Sequence, residues 1–235
     1  MRDGLFQKVR FQIAGDCGLL VEYGEGINFE VNAKVRAMAK VINKNTPAGI
    51  VEIIPTYRSL LVVYDPVLTN PKRLKNVLTL LEEQMDDIKI PAPAVVEIPV
   101  CYGGEFGPDI SVVGNAYDLT EAEVIRLHSE PEYLIYMVGF TPGFAYLGGL
   151  PEKLHTPRLA TPRMVVPQGS VGIANNQTGM YPVASPGGWQ LIGRTPLKLF
   201  APERLNPFLY QAGDKIKFKP ISAEEFFKSA KKERN

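Results

Sequence analysis

Apolar and polar residues alternate over 8 to 13 (KVRFQI) and recur over 18 to 22 (GLLVE), with Ala14, Gly15 and Asp16 between the two runs. Two short β-compatible runs around such a turn predict a hairpin. The period then lengthens. Val31, Val35, Met38 and Ile42 recur at helical spacing behind Asn28, a residue suited to cap a helix. Two further strands are predicted at GIVEI and SLLVVY, around Pro55. Asn70 and Pro71 then supply an N-cap and a first helical position for a stripe of Leu74, Leu78, Leu81 and Met85. The order is ββαββα. Two helices on one face of a mainly antiparallel sheet bury both stripes, which predicts an α+β layer.

The pattern breaks at residues 88 to 100 (IKIPAPAVVEIPV), where three prolines interrupt any helix and the chain becomes extended. The domain boundaries read here are 1–90, 91–221 and a tail at 222–235. Beyond the break the one convincing interior helix is LTEAEVIRLHSE, in which Thr120 and Glu123 form a capping box. YLIYMVGF, RMVVPQGSVGIA, GMYPVA, WQLIG, PLKLFA and DKIKFKPI are short β-like runs set among Pro and Gly turns. They predict a closed or nearly closed barrel. SAEEFFKSAKKERN reads as a last amphipathic helix that frays.

Charge narrows the partners. Lys and Arg number 26 against 25 Asp and Glu, so a net charge of +1 offers no field for nucleic acid or an anionic membrane. The start lacks the apolar core of a signal peptide, and no run has the roughly 20 apolar residues that span a bilayer. A soluble, cytoplasmic protein is expected, with Cys17 and Cys101 as reduced thiols. No phosphate loop occurs, and GEGINF lacks the last glycine of a dinucleotide fingerprint. His128 and His155 belong to no metal-ligand pattern, so no metal is expected. His128 reads as a cation complementing the C-terminal dipole of its helix. Cys101 reads as a small buried hydrophobe, a nucleophile only if a histidine lies beside it.

Candidate chemistry is densest over 139 to 196. Arg158, Arg163 and Arg194 are suited to grip a carboxylate or phosphate, and Gln168, Gln177 and Thr178 to orient an amide. Phe144, Tyr146 and Trp189 can wall a pocket. In SPGGWQLIGRTP, Gly187 and Gly188 predict a tight turn at φ > 0 beside a ligand. Trp189 then opens a strand, and Arg194 and Thr195 fall near its end, beside Trp189. One pocket fed by four loops is the economical reading. The other is a set of turns with solvated arginines and a tryptophan that plugs a barrel.

CYGGEFGPD, GFTPGFAYLGGLPEKL, TPRLATPR and the run VPQGSVGIANNQTGMYPVASPGGWQLIGRTPLKLF resemble the family that unites the B subunit of 5-oxoprolinase, the sporulation-kinase inhibitor KipI and allophanate hydrolase subunit 1. The resemblance implies a small α/β domain followed by a cyclophilin-like barrel. It implies partner subunits C and A in ATP-dependent opening of 5-oxoproline to glutamate, with ATP used by the complex and bound by no recognised motif of this chain. It leaves two alternatives: an inhibitor that binds a histidine kinase, or a subunit of a urea/allophanate-type hydrolase or carboxyltransferase. Gly187, Gly188, Trp189, Arg194 and Thr195 match its PGGW…GRTP run, and Arg158 and Arg163 its paired PR motifs. Gln168, Ser170, Gln177, Thr178 and Tyr181 match the run between. The resemblance assigns none of them a catalytic role.

Overall fold

The hairpin is formed by β1 (Leu5–Ala14) and β2 (Gly18–Gly24). The computed structural model describes residues 4–85 and 92–233. Contacts divide the chain into two compact units, Met1–Ala92 and Pro93–Asn235. The expected boundary at residues 90 and 91 lies outside the described residues.

In the first unit Asn28 accepts the N–H groups of Glu30 and Val31 and so starts α1 (Phe29–Asn45). After β3 (Ile50–Pro55) and β4 (Ser59–Tyr64), Asn70 accepts the Arg73 N–H and starts α2 (Pro71–Glu82). The sheet order is β1-β2-β4-β3, all antiparallel. Every second residue of the two central strands, Leu19, Val21 and Tyr23 with Leu60, Val62 and Tyr64, packs on the helical stripes of Val31, Val35, Met38 and Ile42 and of Leu74, Leu78 and Leu81. One face of the sheet is buried under both helices, as period two against period 3.6 requires.

The second unit contains β5 (Val95–Tyr102), α3 (Ile110–Asn115), α4 (Glu121–Ser129), β6 (Glu132–Val138) and β7 (Ala145–Gly148). It continues with β8 (Arg163–Val166), β9 (Ser170–Ala174), β10 (Gln177–Met180), β11 (Ser185–Gly187), β12 (Gln190–Arg194), β13 (Lys215–Pro220) and α5 (Ala223–Lys232). A barrel closes in the order β10-β7-β6-β13-β5-β12-β9, while β8 and β11 pair as a separate ribbon. The barrel ladders are antiparallel except β13 on β5. The α+β class with a closed barrel is as expected. PLKLFA is not a strand: Leu199 is buried in the barrel core and the segment makes a single bridge, Phe200 to Phe208. The short helix ISVVGN and the three-residue β11 escape pattern reading, one for its β-branched residues and the other for its Pro and Gly. Among the described residues no helix is long and apolar enough to cross a membrane.

His128 is not a solvated cation. It leaves the last turn of α4 for the barrel interior, where it is fully buried and stacks on Phe218 of β13. Thr178 Oγ1 donates to the Gly172 carbonyl (3.1 Å) and lies 2.8 Å from Nε2, while the Tyr102 hydroxyl lies 2.8 Å from Nδ1. One direction satisfies every group: Tyr102 O–H donates to Nδ1, Nε2–H to Thr178, and Thr178 O–H to the carbonyl. The imidazole is therefore neutral, and burial pushes its pKa down to about 3. The helix-dipole argument fails because desolvation of a fully buried ring outweighs the dipole. Cys101 is buried beside Phe106 and Phe226, and burial followed by the Glu105 charge raises its thiol pKa.

The folded-state pKa of His128 lies below the unfolded value of about 6.5, so the unfolded chain binds more protons and acid favours it. Stability is expected to fall as pH drops from about 6.5 towards about 3, by up to about 1.36 kcal/mol per unit from this residue, and to be unaffected by it above that window. Urea melts of the native chain and of His128→Gln across the window check this: the variant, whatever its absolute stability, should lose that part of the slope.

Candidate functional site

Four loops, β7 and β11 meet at an aromatic pocket of about 110 Å³. Phe144 stands edge-on to Tyr181 and Trp189, with centroids 5.4 and 5.5 Å away, and is tilted against Tyr146 at 4.8 Å. Such tilted pairs are the favoured aromatic geometry and hold the walls rigid. Phe140 forms the rim. It is 66% exposed and its φ of 68° is in the left-handed region, which costs a non-glycine residue about 1–3 kcal/mol.

The polar groups of the pocket are few. Arg158 lines it, is exposed, and enters none of the ion pairs among the described residues. Burial raises the Tyr181 phenol pKa, opposed by the Trp189 backbone N–H and by Arg158 and Arg163. Tyr146 is likewise raised by burial and opposed by Arg158. Both hydroxyls stay protonated at neutral pH. The lining residues are Phe140, Phe144, Tyr146, Arg158, Tyr181, Pro186, Gly187, Gly188 and Trp189, without a carboxylate, imidazole or thiol. The arrangement offers aromatic walls, two phenol hydroxyls and one guanidinium, and its lining holds no general base or nucleophile.

Five nominated residues therefore converge here: Arg158, Tyr181, Gly187, Gly188 and Trp189. Phe144 and Tyr146 form walls, as expected. The remaining nominations separate. Arg163 Nη2 is bonded to both oxygens of Asp109 at 2.7 and 2.8 Å, and Nη1 to the Trp189 carbonyl at 3.3 Å, so it is a strut rather than an anion receptor. Thr178 is buried on His128. Gln177 opens β10, outside the lining of this pocket. Arg194 is not beside Trp189: β12 runs between them, and five residues at about 3.3 Å each put them about 16 Å apart. Its Nε bonds the Gln168 carbonyl at 2.8 Å, and both residues line a different cavity. All four segments thus reach one pocket, but only part of the residues nominated on them line it.

The two glycines act differently from expectation as well. Neither falls in the left-handed region. A Cβ at Gly187 would collide with the hydroxyl and ring of Tyr181, whereas one at Gly188 would meet nothing nearer than 3.6 Å. Close approach, rather than turn geometry, demands the first glycine. Asp109 and Phe140 escape pattern reading; Asp109 ends the CYGGEFGPD motif, and Phe140 precedes a TPG turn signal.

Residues 9–210 match the profile of the carboxyltransferase domain, subdomain C and D, which sets the class. The B subunit of 5-oxoprolinase from Bacillus subtilis (strain 168) is 44% identical over 93% of this chain and 96% of its own length. That of Escherichia coli O157:H7 is 41% identical over 91% and 97%. The chain belongs to the family of 5-oxoprolinase B subunits. Among solved structures, TTHA0988 has 36% identity and a TM-score of 0.78 over 88% of this chain, which spans 40% of that longer protein. The urea carboxylase of Kluyveromyces lactis shares the fold, with a TM-score of 0.74 at 22% identity, over 93% of this chain and 22% of its own.

Gly187→Ala is expected to displace the buried Tyr181 ring and cost about 1–3 kcal/mol. Gly188→Ala should stay within about 0.5 kcal/mol. Chemical melts with Trp189 fluorescence, the single tryptophan of the chain, read both effects at the pocket itself.

Proposed function

We propose that this chain is the B subunit of a 5-oxoprolinase complex, acting with subunits A and C in the ATP-dependent opening of 5-oxoproline to glutamate. Opening adds water across the lactam C–N bond, and ATP hydrolysis, at a site carried by the assembly, drives it. The aromatic pocket receives the ring. Arg158 grips the carboxylate, and the Tyr146 and Tyr181 hydroxyls offer hydrogen bonds to the lactam. The observation that carries this reading is a ring-sized slot whose single cation has no carboxylate partner among the described residues. Near-full-length identity to chains named as such subunits supports it.

The pocket lining lacks a base or nucleophile, so this chain contributes positioning. Holding a reactant in one orientation is itself worth several kcal/mol of barrier. An open slot of about 110 Å³ is also small beside the roughly 300–1,000 Å³ of self-sufficient ligand sites, which fits a site completed by a second subunit.

In a complex reconstituted with its cognate subunits, Arg158→Gln is expected to weaken 5-oxoproline use about tenfold to a hundredfold, chiefly in KM, from loss of one charge-assisted contact worth about 1.5–3 kcal/mol. Arg163→Gln should instead lower thermal stability, since it leaves the buried Asp109 carboxylate without its cation. The isolated chain should show no turnover. Turnover by the chain alone, or unchanged kinetics in Arg158→Gln, contradicts the proposal; failure to assemble with A and C at all returns the kinase-inhibitor alternative.

A further inference from the structure

The larger cavity of the second unit, about 490 Å³, is a groove between the segment Arg194–Lys198 and α5. Its size falls within the range of small-molecule sites. Both walls are held in place. On one side, Ser222 and Glu225 form a capping box at the start of α5, and Phe226 is buried against Cys101 and Phe106, its ring 4.6 Å from that of Phe106. This anchoring places the next residue, Phe227, on the groove, where it stays 52% exposed. On the other side, Thr195 N–H bonds the Gly169 carbonyl at 2.9 Å and Gly169 N–H the Tyr181 carbonyl at 2.7 Å.

Onto this floor Arg194 Nε donates to the Gln168 carbonyl, which fixes the plane of the guanidinium and leaves both Nη groups without a partner among the described residues. The other charges of the groove are taken: Lys198 pairs with Glu203, and Glu233 with Arg204. What remains is one oriented, uncommitted fork beside an apolar wall of Leu197, Phe227 and Ala230. A guanidinium fork matches a carboxylate, and the wall matches an apolar body attached to it. Inorganic anions satisfy only the first and uncharged amides only the second.

We propose that this groove is a separate binding site for a small organic acid, with its carboxylate on the Arg194 Nη groups and its apolar body on Phe227. The site lies at the opposite end of β12 from the aromatic pocket and does not depend on the function proposed above.

Isothermal titration of the isolated chain with phenylpropionate, phenylpropionamide and sulfate tests it. Phenylpropionate should bind at one site, with affinity reduced about tenfold or more by Arg194→Gln and also reduced by Phe227→Ala, and retained in Arg158→Gln. The amide and sulfate should bind much more weakly. Phe227 is exposed and off the barrel, so its variant reports even if Arg194→Gln folds poorly. Absence of saturable binding, equal binding of the amide or sulfate, binding that survives both groove variants, or binding lost only in Arg158→Gln each overturns the proposal.

Discussion

The carboxylate of Asp109 fixes the geometry on which the pocket depends. It stands just before α3 and is almost wholly buried. It accepts Arg163 Nη2 with both oxygens and the Leu191 N–H at 2.7 Å, while its own N–H donates to the Leu191 carbonyl at 2.9 Å. A charge so placed is stabilised only if its lone pairs are filled, and here they are. The approach needs Gly107, since a Cβ there would collide with the Ile192 carbonyl. The β8–β11 ribbon, the turn before α3 and the start of β12 are thereby joined at one point. Trp189, one residue before β12, inherits its position from that junction and has its own carbonyl held by Arg163.

Inside the barrel the same demand for satisfied polar groups is met without charge. His128, Tyr102 and Thr178 come from α4, β5 and β10, and their hydrogen bonds run in one direction to the Gly172 carbonyl. Tyr133 of β6 adds a bond to the His128 carbonyl at 2.8 Å. The difference between the two networks follows from depth: the Asp109–Arg163 pair retains some solvation through the partly exposed guanidinium, whereas in the interior a neutral chain avoids the desolvation cost of an ion.

These two networks also mark where reading the chain succeeds and where it stops. The first unit is legible because each of its signals is local: Asn28 and Asn70 accept helix N–H groups two or three residues on, and the leucine and valine stripes declare their own faces. In the barrel unit the residue types of the pocket are legible and their pairings are not. Arg163 looks as free as Arg158 until Asp109, 54 residues earlier in the chain, is brought against it. His128 reads wrongly as a surface cation because a helix taken alone says nothing of the barrel mouth it enters. The separation of Trp189 from Arg194 is recoverable from sequence, since a five-residue strand already implies about 16 Å between them.

That separation gives β12 two distinct ends. The Trp189 end is aromatic, narrow and rimmed by Phe140, whose left-handed backbone is retained at an energetic cost, as often happens where a side chain must face a ligand. The Arg194 end is wide and bordered by α5. Each presents one unneutralised guanidinium, and in open solvent such a group adds little affinity because water competes for it. Its worth rises when the surrounding space is closed and dry. At the aromatic end Arg158 is exposed, so a partner that covers the pocket would do more than add contacts. It would convert a weak, solvated cation into a strong one at the moment the ring is enclosed, which is a physical reason for dividing such a site between subunits.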